Sequence, residues 1–312
     1  GQGAIRCHPY VLKEMKAAFN PDPRQGLQDF DMALFGHLLF TIRHAFGALG
    51  KGLTGSHFVN VPANVAPETR RYYQQLTRFA SAFAFLSDIS MLVLGGELKR
   101  REKLSARLGD ILSMLYLCSA TLKRYESEGR QQADAPLLHW AIWDAMYKAQ
   151  EAFDGVIANF PVRFIAAFLQ RSIFPWGHPY VVPSDEVGHQ VAKLLIAPSA
   201  TRDRLTAECF IPQTDKEPVG AIELALLATL EAEAIEAKIR VAEKDGRFEN
   251  NPQANVRDIA IVAAEYGVIT AAEFEVMKRR NALRDIVVHV DDFPCDYGVA
   301  TANKPAESRM AA

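Results

Sequence analysis

The chain has 312 residues, of which 49% are hydrophobic and 23% are charged. A chain of this length buries roughly three quarters of its unfolded surface, so we expect one large domain or two tightly packed lobes. The 35 basic and 37 acidic residues nearly balance, which excludes nucleic-acid binding driven by overall charge.

The cysteines and the hydropathy pattern bear on the cellular compartment in which the protein is expected. The four cysteines are far apart and form no Cys-x-x-Cys pair, so neither a zinc site nor a disulfide framework is predicted. There is no basic-then-apolar leader and no run of 18 uncharged apolar residues, so neither a signal peptide nor a spanning helix is predicted. We expect a cytoplasmic protein, with peripheral contact on the inner face of the cytoplasmic membrane as an additional expectation.

Residues 1–20 have the pattern of a helix that is already under way. Ile5, Leu12 and Met15 follow helical spacing, Pro9 would kink the helix, and Asn20 to Pro23 would stop it. We therefore expect this segment to be the end of a helix from an upstream domain, and the chain to be a piece of a longer protein.

The next elements are predicted as long helices. Apolar spacing predicts a helix from Gly26 to about Ala48, followed by a mobile loop over 50–67. Pro67 begins a helix that ends at the pair Gly95-Gly96, and another helix is predicted from Glu97 to about Glu126. That pair lacks the Gly-x-Gly-x-x-Gly spacing of a dinucleotide loop, so we interpret it as a helix break.

The second half of the chain is also predicted to be helical. Asp134 and Pro136 begin a fourth long helix, and a short aromatic helix lies between Pro161 and Pro175. Further helices are predicted at 184–197, 218–244, about 255–267 and 271–287, the last with a Thr270-x-x-Glu273 capping box.

The predicted fold class is therefore all-α, a multi-helix bundle of about ten helices with negligible sheet. The segment Val287 to Val290 is the one candidate for an extended piece. Residues 21–298 are expected to form a helical extension domain, and residues 299–312 a disordered tail.

No motif indicates metal or nucleophilic catalysis. The eight histidines form no His-x-x-x-His or His-Glu-x-x-His pattern, and no Gly-x-Ser-x-Gly occurs. His37 and His44 share a helix face but lie about 10 Å apart along its axis, so we interpret them as partly buried histidines rather than metal ligands. The carboxylate pairs Asp291-Asp292 and Glu231/Glu233 are interpreted as solvated surface charge.

Two segments are candidates for binding surfaces. The first is a basic group that could contact an anion, a phosphate or an acidic lipid headgroup, or could be a solvated face paired with Glu97 and Glu102. It comprises Lys99, Arg100, Arg101, Lys103 and Arg107. The second is an aromatic segment that could be packed core, a subunit contact, or a membrane-interface helix. It comprises Phe160, Phe164, Phe168 and Trp176.

Several passages together resemble one protein family. They are the opening Gly1-Gln2-Gly3-Ala4-Ile5-Arg6-Cys7-His8-Pro9-Tyr10, the two amphipathic helices that meet at Gly95-Gly96 over Leu86–Asp110, Arg71-Tyr72-Tyr73-Gln74, Leu122-Lys123-Arg124-Tyr125, Ala192-Lys193-Leu194 and the ending Val290-Asp291-Asp292-Phe293. In these passages the chain resembles the C-terminal region of bacterial FadE-type acyl-CoA dehydrogenases.

The resemblance implies a role in fatty-acid β-oxidation for the intact protein. Enzymes of that family oxidise an acyl-CoA to the trans-2-enoyl-CoA with bound FAD, and a glutamate in a Glu-Gly-x-Asn motif is the base. In the family that motif precedes the segment resembling Gly1 to Arg6, and Glu128-Gly129-Arg130 here lacks the asparagine. No catalytic residue is therefore carried over, and no metal or flavin-binding residue is assigned.

Two functions remain open from the sequence. The first is a non-catalytic helical part that packs on its own upstream flavin- and acyl-CoA-binding domains, in a protein expected to be a homodimer. The alternative is a free-standing helical scaffold that docks on a membrane surface or a protein partner.

Overall fold

The structure is a computed structural model, and it describes residues 8–248 and 259–290. Within these ranges it contains eleven α-helices and no β-strand, which confirms the prediction of an all-α bundle of about ten helices. The helices are α1 (Val11–Ala18), α2 (Pro23–Leu53), α3 (Arg70–Leu94), α4 (Glu102–Ser127), α5 (Ala135–Ala158), α6 (Arg163–Ile173), α7 (Asp185–Ile196), α8 (Ala200–Thr206), α9 (Pro218–Lys244), α10 (Ile259–Glu265) and α11 (Ala271–Val288).

The chain divides into two compact units. Unit 1 is Gly1–Ile196 and contains α1 to α7, and unit 2 is Ala197–Ala312 and contains α8 to α11. Short 3₁₀ turns at Pro67–Thr69, Gly95–Lys99 and Gln132–Asp134 precede α3, α4 and α5.

Unit 1 is built from helices that pack on their neighbours along the chain. α4 packs along α5, α3 contacts both α2 and α4, and α1 packs on α2. The centre of the unit is aromatic, since the ring of the fully buried Phe153 meets those of Phe79 and Phe174 edge to face, with centroids 5.7 and 5.9 Å apart. These contacts exclude water from one continuous core, and the burial of such apolar side chains is the main favourable term in folding.

Unit 2 has a smaller core of its own. α9 packs on α11, and the buried side chains include Ile235, Ile239 and Met277. The predicted capping box at the start of α11 is confirmed, because Thr270 accepts a hydrogen bond from the Glu273 backbone while the Glu273 carboxylate accepts one from Thr270. The same carboxylate also pairs with Lys238 of α9 at 3.0 Å, which ties the two helices together.

The predicted break after Ala48 is wrong. α2 continues to Leu53 through Gly50 and Gly52, so the predicted loop is shorter at its start. A Cβ atom at Gly52 would lie 2.9 Å from the ring of Pro175, which shows that this glycine lets the loop after α6 pack against the helix. In this helix the glycine serves close packing rather than termination.

The predicted start of α4 at Glu97 is also wrong. Gly95 has a φ of +49°, which ends α3, and residues Gly95–Lys99 then form a 3₁₀ turn before α4 begins at Glu102.

Two further differences between the predicted and the observed helices lie in unit 2. α8 was not predicted, and Val287 and Val288 belong to α11 rather than to an extended piece. The predicted tail lies outside the described residues.

Two helical segments are long and apolar enough to cross a membrane by length and composition alone. They are Pro23–Leu53 and Pro67–Lys99. Neither one is predicted from an uninterrupted apolar run, because charged residues lie within each segment. The second segment contains α3, one face of which belongs to the core of unit 1. The first segment contains α2, and only 11% of its apolar stretch is buried.

Truncation of Phe153 tests the aromatic core. We expect Phe153→Ala to lower the free energy of unfolding of unit 1 by about 3–5 kcal/mol, since it removes a fully buried ring and leaves a cavity. Phe58→Ala removes an exposed ring of the same unit and should change stability by less than about 0.5 kcal/mol. All three tryptophans lie in unit 1, so their fluorescence during chemical denaturation measures this change. Equal stability of the two variants would contradict the described core.

Candidate functional site

Unit 1 contains a cavity of about 530 Å³ between α2, α3 and α4. Its walls are mainly apolar and include Phe40, Phe83, Met91, Leu98 and Leu108. The polar residues in the lining are His8, Asp88, Ser87 and Ser105. A largely apolar cavity with a few converging polar groups is the usual form of a small-molecule site, so it is the candidate site of this unit.

The polar end of the cavity is a buried hydrogen-bonded group. Asp88 on α3 is only 3% exposed, and its two carboxylate oxygens accept hydrogen bonds from His8 Nε2 at 3.0 Å and from the Thr41 hydroxyl at 2.9 Å. His8 Nδ1 accepts the backbone N–H groups of Tyr10 and Val11 at 3.2 and 3.1 Å. His8 therefore connects the start of α1 to α3, and Thr41 connects α2 to the same carboxylate.

These contacts fix the proton on His8. Because Nδ1 faces two N–H donors, it carries a lone pair, and the proton of the neutral ring lies on Nε2 facing Asp88. Burial lowers the pKa of His8 below 6.5, although Asp88 acts in the opposite direction. The ring is therefore held neutral, and neither nitrogen is available to take a proton from a ligand.

A metal ion at this position is disfavoured by the same hydrogen bonds. One donor atom each from His8, His37 and Asp88 lies within 4.8 Å of the others, which is close enough for a shared ion. A histidine that binds a metal through Nε2 normally donates its other N–H, whereas His8 Nδ1 accepts two hydrogen bonds here. We therefore assign the three residues to a structural cluster, in line with the sequence interpretation of His37 as partly buried.

The predicted basic group begins before the helix on which it was expected. Lys99, Arg100, Arg101 and Lys103 are exposed, but the first three precede α4, which begins at Glu102. Arg107 is half-buried instead, and a Cβ at Gly155 on α5 would lie 2.8 Å from its side chain. The predicted pair of Glu97 and Arg101 is present at 3.5 Å on the surface.

The residues of the predicted aromatic segment differ in exposure. Phe160 is buried and precedes α6, which lies between Pro161 and Pro175 as predicted. Phe164 and Trp176 are 75% and 77% exposed, so they are not core of unit 1, while Phe168 is half-exposed and meets Phe85 edge to face at 6.1 Å. Whether a subunit or a membrane covers the exposed rings stays a prediction.

Sequence reasoning missed the centre of the site. His8 and Asp88 are 80 residues apart, and although each lies in a passage that carries the family resemblance, nothing in either passage indicates that the two side chains meet. The one available signal was the charge of Asp88 within the apolar stretch of a long helix, since a buried carboxylate requires partners.

The neutral state of His8 predicts a pH dependence of stability. The unfolded chain binds a proton near pH 6.5 that folded His8 accepts only at lower pH, so the free energy of unfolding falls as the pH drops below about 6.5. His44, whose pKa burial also lowers, contributes in the same direction. We expect His8→Gln to reduce this slope when unfolding is followed by tryptophan fluorescence between pH 7.5 and 5.

The exposed His189 supplies the control. His189→Gln should keep the slope of the unmodified chain. Equal slopes in His8→Gln and the unmodified chain would show that His8 is not held neutral by its surroundings.

Comparison with known families agrees with the motifs. The family model described as acyl-CoA dehydrogenase, C-terminal, bacterial type, matches residues 5–293, which is most of the chain. No solved structure matches the chain. Since one family model spans both units, the chain belongs to the family of bacterial-type acyl-CoA dehydrogenase C-terminal regions.

Proposed function

We propose that this chain is the non-catalytic, C-terminal helical part of a FAD-dependent acyl-CoA dehydrogenase of fatty-acid β-oxidation. The intact enzyme would convert an acyl-CoA to the trans-2-enoyl-CoA, and this part would pack on the catalytic core. Family membership supports the enzyme class. The observation that carries the packing role is a long exposed apolar surface on α2.

This surface, the α2 stripe, is a regular row of apolar side chains. Its members alternate in spacings of three and four, and they are Met32, Phe35, Leu39, Ile42, Phe46, Leu49 and Leu53. Met32, Phe35, Leu39 and Phe46 are each between 64% and 72% exposed. The other side of the helix, which includes the buried Ala33 and Ala48, faces unit 1.

The pattern of the α2 stripe fits a helical partner. Apolar residues at alternating spacings of three and four form a single row of side chains along one side of a helix. Helices that pack side by side contact each other through such rows. A contiguous exposed apolar surface of this kind marks an interface. The occupant that we propose is the helical surface of the upstream catalytic core, which the same polypeptide would hold nearby.

Two carboxylates of unit 1, those of Glu126 and Asp88, are already engaged by hydrogen bonds within the unit. Glu126 on α4 accepts hydrogen bonds from the Ala66 N–H, Arg130 and the Thr69 hydroxyl. Burial alone would raise its pKa, but these hydrogen bonds outweigh burial and lower it, which is unsuitable for a base. The carboxylate of Asp88 is already occupied by His8 and Thr41.

FAD, which the family implies, does not fit the cavity of unit 1. Bound flavin supplies the hydride acceptor in such enzymes. A dinucleotide needs several free N–H donors for its phosphates, whereas the cavity lining is mainly apolar and its His8 and Asp88 bind each other. We therefore place the flavin in the upstream domains. The homodimer and the peripheral membrane contact remain predictions.

Reconstitution tests the packing role. The 312-residue chain is mixed with the catalytic domains from the same reading frame, and the affinity is measured by calorimetry. We expect a one-to-one complex. The double variant Phe35→Glu, Leu39→Glu should weaken it at least about a hundredfold, because the interface would lose the apolar area of two side chains and bury two unpaired charges. Phe58→Glu, at an exposed phenylalanine outside α2, should leave the affinity unchanged.

The isolated chain tests the absence of chemistry. After incubation with FAD and gel filtration it should retain no flavin absorbance, and palmitoyl-CoA should cause no bleaching. Retained flavin that bleaches would show a complete site in this chain and would overturn the non-catalytic role.

In the reconstitution experiment, equal affinity of the stripe variant and the Phe58→Glu variant would show that the core does not bind the α2 stripe. Salt-sensitive flotation with liposomes by the chain alone would instead favour the scaffold alternative.

A further inference from the structure

The first turn of α1 is held by one histidine side chain. The N-cap residue of α1, Tyr10, makes no capping hydrogen bond with its own side chain. His8 Nδ1 instead accepts the backbone N–H groups of Tyr10 and Val11, at 3.2 and 3.1 Å. The other ring nitrogen of His8 contacts Asp88 on α3 at 3.0 Å. A single imidazole therefore caps α1 and joins it to α3.

Only the neutral ring of His8 can make all of these hydrogen bonds. Nδ1 accepts two N–H groups through its lone pair, so a proton on this atom would place three donors against one another. The hydrogen bond from Nε2 to Asp88 survives the added proton and becomes charge-assisted. Protonation of His8 therefore removes the cap of α1 while it strengthens the contact with α3.

The ionisable groups around His8 come from three helices. Burial lowers the pKa of His8 below its usual value of 6.5, and His37 on α2 acts in the same direction, whereas Asp88 on α3 and Glu14 on α1 oppose it. His44 on α2 also interacts electrostatically with His8. Among the described lining residues of the cavity, those of the 3₁₀ turn and α4 carry no ionisable side chain. The cap is therefore intact at neutral pH and is lost at acidic pH.

Apolar burial contributes little to the attachment of α1. The helix has eight residues, a length at which a helix is marginal on its own, and Ala17 is its one buried residue. The Tyr10 ring stacks on His37 with 9° between the ring planes, and Lys13 lies over the same tyrosine ring at 5.4 Å. Glu14 pairs with His37 at 2.8 Å. Polar contacts and ring contacts therefore hold α1, and the cap by His8 is the contact that fixes its first turn.

We propose that His8 is a pH-sensitive cap of α1. At neutral pH the ring caps α1 and holds it on α3, whereas at acidic pH the protonated ring stays with Asp88 and the first turn of α1 opens. Because His8 and Pro9 also line the cavity of unit 1, this opening loosens the wall of the cavity at that end. The opening is local to one helix and leaves the core of unit 1 folded, and it does not depend on the packing role of the chain.

Hydrogen exchange, followed by mass spectrometry on the full 312-residue chain, tests this opening. Exchange is measured in half-unit steps from pH 7.5 to 4.5, with labelling times scaled for the intrinsic pH dependence of amide exchange. We expect the protection of amides 10–18 to fall about threefold to tenfold across this range, as is typical for the loss of one helix cap. The amides of α5 should keep their protection and serve as the internal reference.

His8→Asn retains a cap that cannot titrate. The Oδ1 atom of asparagine lies close to the position of histidine Nδ1, it is a favoured capping acceptor, and it takes up no proton in this pH range. Asp88 keeps the Thr41 hydroxyl as a donor in this variant. We expect amides 10–18 to be equally protected at all pH values. His189→Asn, at an exposed histidine of unit 1, is the matched control and should respond like the unmodified chain.

Asp88→Asn tests the partner of His8 on α3. The amide oxygen can still accept the hydrogen bond from His8 Nε2, but the charge that favours the protonated ring is removed. The loss of protection in α1 should therefore move to lower pH by about one unit. A merely structural role of Asp88 would instead change the protection of α1 by the same factor at every pH.

Any one of three results would contradict the proposal. The first is a protection of α1 in the unmodified chain that does not change with pH. The second is the same loss of protection in His8→Asn as in the unmodified chain. The third is an equal loss of protection in α1 and α5, which would show that acid unfolds unit 1 as a whole rather than opening its first helix.

Discussion

Unit 1 depends on the polar side chains that α3 buries. A buried polar group without a partner is costly, so each one restricts where its neighbours can lie. Arg78 donates to the Ile173 carbonyl at the end of α6, and Gln74 donates to the carbonyls of His57 and Val59 in the loop before α3. Asp88, near the other end of the helix, receives His8 and Thr41. Apolar packing makes the unit compact, while these bonds determine which segments meet α3 and at which residue.

This arrangement leaves α2 with two apolar sides. One side packs on α3 and supplies Thr41 to Asp88, whereas the α2 stripe faces outward. A helix at the surface of a globular domain usually has one apolar side, which packs on the core. The second apolar side of α2 is therefore a candidate interface with a partner. The high mean hydropathy of α2 has the same source, since apolar residues lie on both of its sides.

The sequence predicted the helices better than their ends and their contacts. The bounds of α9 were predicted to the residue, because Pro218 fixes its start and its apolar pattern is unbroken. The end of α2 was missed because Gly50 and Gly52 favour termination locally, and the helix continues through both of them. The pairing of His8 with Asp88 was unpredictable in principle from local pattern, because it depends on how α1 and α3 meet across 80 residues.

The hydrogen bonds of His8 distinguish a structural His–Asp pair from a catalytic one. A histidine beside a buried aspartate at the end of a cavity has the composition of a catalytic pair. In such a pair the aspartate holds one nitrogen and the other nitrogen faces the substrate. Here the second nitrogen faces the backbone N–H groups of Tyr10 and Val11, so the pair is closed toward the protein. The polar end of the cavity is therefore already hydrogen-bonded within the protein.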